Sequence, residues 1–134
     1  MIVLDTHALV WWLSAPQKVP AKTRRILDGA LESKVERLMV STISAWEIAL
    51  LVANDRLSLT VDVETWINRV EALPFVTFVA VDNRIALKSM TLEKFPNRDP
   101  ADRIIAATAL GLGASLVTAD EKLRAYRPLK TIWD

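Results

Sequence analysis

Five short apolar runs, separated by segments of helical period, set the strongest limit on how this chain can fold. They are MIVL (1–4), RLMVS (37–41), FVTFVAV (75–81), ASLVTA (114–119) and a weaker KTIW (130–133). Most are nearly continuous in apolar residues rather than alternating, the pattern of strands buried on both faces. The segments between them place apolar residues three and four apart. These are 6–13, AKTRRILDGALES (21–33), ISAWEIALLVAN (43–54), DVETWINRVEAL (62–73), DNRIALKSM (82–90), DPADRIIAATALGLG (99–113) and DEKLRAY (120–126). Pro16 and Pro20 break the chain after the first helix, and Gly113 ends the long helix before the fourth strand. Strands alternating with helices predict an α/β fold of three layers, with a central, mainly parallel sheet of four to five strands. In such sheets ligands bind beyond the carboxyl ends of the strands. The residues that immediately follow each run therefore carry the most functional weight.

The length, 134 residues, predicts one domain over 1–134 that folds without disulfide or structural metal. The absence of cysteine removes thiolate metal sites and thiol nucleophiles, and it fits a reducing, cytoplasmic setting. The apolar start lacks a basic leader and is interrupted by Asp5 and His7, so it does not read as a signal peptide. No uncharged apolar run is long enough to span a membrane. With 17 basic and 16 acidic residues the net charge is +1, so nucleic-acid binding would need local basic patches. No glycine loop of the Walker type and no elbow-type serine motif is present. His7, the one histidine, reads as a polar residue of a first helical turn.

Four carboxylates stand out. Asp5 and Asp120 follow the first and fourth runs directly. Each is open to two readings, a helix cap or a ligand at a strand end. Thr118, two residues before Asp120, projects to the same side of its strand and can hydrogen-bond a carboxylate or phosphate. Glu47 lies among Ile43, Leu50 and Leu51 at helical spacing, where a carboxylate needs a partner or a metal. In RDPADRIIAATA (98–109), Asp99 before Pro100 reads as an N-cap. Asp102 then falls in the first turn, on the face continued by Ile105, Ala106 and Ala109 and near the positive end of the helix dipole. That leaves it as a ligand or a dipole-stabilising surface residue. Should the fold gather these groups, each pair at 4 Å would repel by about 4 kcal/mol at an effective dielectric of ~20. Protonation or a divalent cation would relieve that, and an all-oxygen site favours Mg²⁺ or Mn²⁺.

These residues fall into four ordered motifs that cover the chain nearly end to end: LDTHALVWWL from Leu4, STISAWEIAL from Ser41, RDPADRIIAATA from Arg98 and LVTADEKL from Leu116. The set resembles the PIN domain, specifically the VapC-like ribonuclease toxins of type II toxin–antitoxin systems. The resemblance implies a Mg²⁺- or Mn²⁺-dependent endoribonuclease whose catalytic and metal-binding acids fall on Asp5, Glu47, Asp102 and Asp120. It implies an accessory part for Asp99 and pocket-lining hydroxyls at Thr6, Ser44 and Thr118. It also implies an RNA substrate, a VapB-like antitoxin that lays a C-terminal segment in the groove, and a toxin homodimer. Three positions depart from the pattern. Leu51 stands where relatives often carry lysine, Asp55 where they often carry glycine, and Asn97 where a histidine often precedes RDP.

Arg98 and Arg103 are the expected phosphate contacts, whereas Lys22, Arg24 and Arg25 read as a solvated helix face. One of Trp11 and Trp12, about 100° apart on a helix, is expected in an exposed patch for a partner or second copy. A rival reading is a receiver-like phosphoacceptor domain using Asp82 as acceptor and Lys122 as the late lysine. It leaves Glu47 and Asp102 without a part. A further reading is a PIN-like module that binds RNA or a partner without cutting.

Overall fold

A computed structural model describes residues 1–33 and 36–134. Five strands, β1 (Ile2–Leu4), β2 (Leu38–Ser41), β3 (Val76–Val79), β4 (Ser115–Val117) and β5 (Thr131–Ile132), form one sheet. Their order is β3-β2-β1-β4-β5, and every neighbouring pair is parallel. The helices are α1 (Thr6–Ser14), α2 (Ala21–Ser33), α3 (Ile43–Ala53), α4 (Val63–Glu71), α5 (Asn83–Met90), α6 (Pro100–Leu112) and α7 (Glu121–Ala125). The expected α/β architecture is therefore present. A 3₁₀ turn over Pro16–Lys18 occupies the break after α1.

Alternation along the strands builds the three layers. Ile2, Leu4, Leu38, Val40, Val76 and Val117 point to one face, where they pack with Leu9, Trp12, Leu27, Ile48 and Trp66 from α1 to α4. Val3, Met39 and Leu116 point to the other, against Ile105, Ala106 and Ala109 of α6 and Leu123 of α7. Ala106 and Ala109 are fully buried. Their small side chains let the α6 backbone lie close to the sheet. Gly113, at φ 63°, closes α6 in the left-handed conformation that glycine adopts without strain.

The chain steps outward from β1 to β2 and β3, then returns to place β4 on the other side of β1. The strand order reverses between β1 and β4. A crevice opens at the carboxyl ends of strands flanking such a switch point. Asp5 follows β1, and Thr118 and Asp120 follow β4, so the topology carries all three to that crevice. The same order weakens the receiver-like reading. Asp82 lies past the edge strand β3, with β2 between it and β1, and its carboxylate caps α5 by accepting from the Ile85 amide at 2.9 Å.

Candidate acidic site

The site is assembled from helix starts. Asp5 is the N-cap of α1, with Oδ1 accepting from the Thr6 amide at 2.8 Å. Its other oxygen, Oδ2, accepts from the Thr118 hydroxyl at 2.7 Å. At 3% exposure it is the most deeply buried of the acids, and these two donors are its hydrogen-bond partners in place of water. The Thr118 oxygen in turn accepts from the Asp120 amide at 3.0 Å. One hydroxyl thus fastens the Asp120 turn to Asp5. Asp120 caps α7 with Oδ1, which accepts from the amides of Lys122 and Leu123 at 2.8 and 3.2 Å. Asp5 and Asp120 are thus both helix caps at strand ends: Asp5 has both carboxylate oxygens hydrogen-bonded, whereas the cap of Asp120 uses only Oδ1.

On the opposite wall, the Thr6 hydroxyl donates to Glu47 Oε1 at 2.5 Å. Having one hydrogen, it must then accept from Ser44, whose oxygen lies 2.8 Å away. Thr6, Ser44 and Thr118 are all buried. Glu47 does not sit on the purely apolar face suggested by Ile43, Leu50 and Leu51, because Leu50 is 43% exposed. Its near neighbours are the hydroxyls of Thr6 and, one turn back on α3, Ser44. Burial raises the Glu47 pKa, opposed by the Thr6 hydrogen bond and reinforced by the charges of Asp5 and Asp99.

Asp99 caps α6 as expected, its Oδ1 accepting from Ala101 at 2.8 Å and Asp102 at 3.4 Å, with Pro100 at the first helical position. Asp102 then stands in the first turn of α6, half-buried. Burial, and next the charges of Asp5, Asp99, Glu47 and Asp120, push its pKa up to about 7. The four acids and Asp99 are thus one electrostatically coupled group. They do not form a closed cage, since no group of three or more His, Asp or Glu side chains among the described residues is arranged to hold a metal ion. Among those residues, Asp102 Oδ1, Glu47 Oε2 and Asp120 Oδ2 receive no hydrogen bond. Unpaired oxygens on crowded carboxylates are the donor chemistry that Mg²⁺ or Mn²⁺ takes.

Two polar residues were assigned no such part by sequence. Asn97 donates from Nδ2 to Asp102 Oδ2 at 2.5 Å and accepts at Oδ1 from the Asp99 amide at 3.0 Å, so it orients the Asp102 carboxylate. The departure at this position therefore replaces one polar group with another. His7 accepts at Nε2 from the Ala119 amide at 2.9 Å and places Nδ1 3.5 Å from Asp5 Oδ2. The departure at Asp55 is a matter of backbone. It follows α3 at φ 56°, the left-handed region that glycine enters freely and that Asp tolerates better than most residues. Leu51 is half-buried.

The two arginines part company. Arg98 is exposed and has no ion pair among the described residues. Arg103 turns to α5, donating to the Ser89 carbonyl at 3.2 Å and stacking its guanidinium 5.3 Å from the Phe95 ring centroid. That geometry commits Arg103 to holding α6 against α5 rather than to phosphate. Neither Trp11 nor Trp12 supplies an exposed patch. Trp12 is buried and donates to Asp28 at 3.0 Å, and Trp11 packs on His7 and Trp133. The exposed indole is Trp46, at 55%, beside Glu47 on α3. The only sequence signal for it was its place next to Glu47, on the outward side of the helix.

Comparison with known proteins agrees with this architecture. The model of the PIN domain family matches residues 2–128. Ribonuclease VapC22 of Mycobacterium tuberculosis is 33% identical over 98% of both chains. Among solved structures, VapBC2 of Rickettsia felis, bound to a DNA fragment from its promoter, superposes with a TM-score of 0.74 at 18% identity over the whole of both chains. DNA-bound VapBC of Salmonella typhimurium gives 0.68 at 19% identity, covering 98% of this chain and 96% of that one. FitAcB of Neisseria gonorrhoeae gives 0.67 at 22% identity with the same coverage.

Proposed function

We propose that this chain, which belongs to the PIN domain family among its VapC-type ribonuclease toxins, hydrolyses RNA phosphodiester bonds at the Asp5–Glu47–Asp102–Asp120 pocket with Mg²⁺ or Mn²⁺. The single observation that carries the site assignment is the pKa of Asp102, raised to about 7 by burial and by the charges of Asp5, Asp99, Glu47 and Asp120. Such a cluster is costly until something positive enters it. When bound, a divalent cation supplies Lewis-acid polarisation of the phosphodiester and acidifies the attacking water.

The protein's own residues do the rest. Asp5 is fixed in place by the Thr6 amide and the Thr118 hydroxyl. Thr6, donating to Glu47, sets the spacing between the α1 and α3 walls. Asn97 holds one Asp102 oxygen so that the other faces the pocket. Asp102, whose pKa burial and the neighbouring acids raise to about 7, would take its charged form more readily beside a bound cation. Arg98, exposed at the rim, is the cation available to an RNA phosphate.

The partners follow from the family. A VapB-like antitoxin that covers the pocket is supported by the toxin–antitoxin complexes among the structural neighbours. It is also supported by Trp46 and Leu50, 55% and 43% exposed on the helix that carries Glu47. A homodimer is supported by Leu87 and Met90 of α5, 71% and 74% exposed and one turn apart. No helix of the described residues is long and apolar enough to cross a membrane.

The test is to incubate the antitoxin-free chain with total RNA, with Mg²⁺, with Mn²⁺ and with chelator. Cation-dependent scission is expected, and the mapped ends name the target. Binding of RNA without scission under any of these conditions would leave the non-cutting PIN module as the correct reading.

A further inference from the structure

We propose that His7 is a positioning residue that clamps the Asp120 turn onto Asp5 and so holds together the two strand-end carboxylates that would bind a divalent cation. This rests on the nuclease reading above. It begins from a contact across the switch point. His7 lies in the first turn of α1, and its Nε2 accepts from the backbone amide of Ala119, 112 positions away, at 2.9 Å. Ala119 is the middle residue of the turn between β4 and α7. Thr118 on one side of it donates to Asp5, and Asp120 on the other side supplies its own carboxylate. The side chains at the start of α1 therefore hold the turn, Asp5 through the Thr118 hydroxyl and His7 through the Ala119 amide.

An Nε2 that accepts a hydrogen bond carries no proton, so the neutral ring bears its hydrogen on Nδ1. That nitrogen faces Asp5 Oδ2 at 3.5 Å, too long for a normal hydrogen bond but close enough for its positive edge to favour the carboxylate. The ring plane is set from behind. Its centroid lies 5.0 Å from that of Trp11 and 6.2 Å from that of Trp133, near the end of the chain. The two indoles are themselves 5.9 Å apart. This packing leaves the imidazole little freedom to rotate away from Ala119. It also explains why Trp11 is half-buried rather than part of a partner surface.

Residues that orient ligand-bearing groups in this way usually change metal affinity by about 10–100-fold when replaced. His7→Phe keeps the aromatic packing and removes the acceptor, whereas His7→Gln puts a carbonyl oxygen near the position of Nε2. Two readouts apply: amide hydrogen exchange at Ala119 in the cation-free protein, and Mn²⁺ affinity by electron paramagnetic resonance. In His7→Phe we expect Ala119 to exchange at least ~10-fold faster while Leu116 and Val117 keep their protection, and Mn²⁺ affinity to fall by about 10-fold. His7→Gln should recover both to within about threefold. Unchanged Ala119 protection in His7→Phe overturns the inference, as does equal Mn²⁺ affinity in all three proteins. A wild-type chain that neither binds Mn²⁺ nor cuts RNA overturns the nuclease reading, and this inference with it. That failure is distinguishable because it appears before any substitution is made.

Discussion

The floor and the walls of the acidic pocket are built on opposite terms. The floor is Asp5 with Thr6 and Thr118, all buried, and both carboxylate oxygens of Asp5 accept a hydrogen bond. The walls are Glu47 on α3 and Asp102 on α6. Each has one oxygen that accepts from a neighbour and one that receives nothing among the described residues, and both have raised pKa values. Burial alone does not separate the two regions, because the floor is the more buried. What differs is how far hydrogen bonds replace the lost water. The folded protein supplies a donor to both oxygens of the floor carboxylate, whereas each wall carboxylate keeps one oxygen without a donor among the described residues.

The largest effect should come from removing the floor's charge. Asp5→Asn should lower RNA cleavage by at least ~100-fold in single-turnover assays, because in the proposed mechanism Asp5 is a ligand of the cation. Cleavage at the wild-type rate would break the assignment. Next comes the floor's hydrogen bonding. Thr118→Val keeps the side-chain shape but strips one donor from buried Asp5 and the acceptor from the Asp120 amide. Urea unfolding should show a loss of about 1–3 kcal/mol. A neutral result would mean that water replaces the hydroxyl and that the floor is less closed than its burial indicates.

The walls should behave in the opposite sense. Asp102 has a folded pKa of about 7 against an ordinary 3.8, so between those values the folded state binds more protons than the unfolded. Stability of the cation-free chain should therefore fall as pH rises through that window. Asp102→Asn should remove this loss and raise the melting temperature at pH 8, by on the order of 3 °C, with little change at pH 4. A lower melting temperature at pH 8 would place Asp102 with the floor. The smallest effect concerns the rim. Arg98→Ala should reduce the salt slope of RNA binding by about one, since one phosphate contact is lost. Arg103→Ala should leave the slope unchanged and cost about 1 kcal/mol of stability, because its guanidinium bonds Ser89 and stacks on Phe95.

Sequence pattern carried the layers well and the contacts between them poorly. Apolar runs and helical spacing located the strands and helices, because burial on both sheet faces and the 3.6-residue period are local signals. Capping chemistry located Asp99 and Asp102 within α6, and position after a strand located Asp5 and Asp120. What escaped depends on long-range pairing. The His7–Ala119 bond spans the chain, and nothing near His7 announces it. Asn97 became a partner of Asp102 only once the loop before α6 turned back on itself. Arg103 looked like a phosphate contact because it adjoins Asp102, yet one helical step rotates it by about 100° toward α5. The same rotation, on α3, exposes Trp46 while its neighbour Glu47 turns inward.

The most direct measurement is a thermal-melt titration of the antitoxin-free protein with Mg²⁺ and with Mn²⁺ at pH 8, run beside Asp102→Asn. A saturable rise in melting temperature is predicted for the wild type. Asp102→Asn should start from a higher cation-free value and show little further rise. No rise with either cation, or an equal rise in the variant, would contradict a pocket whose walls are built to be neutralised by a divalent ion.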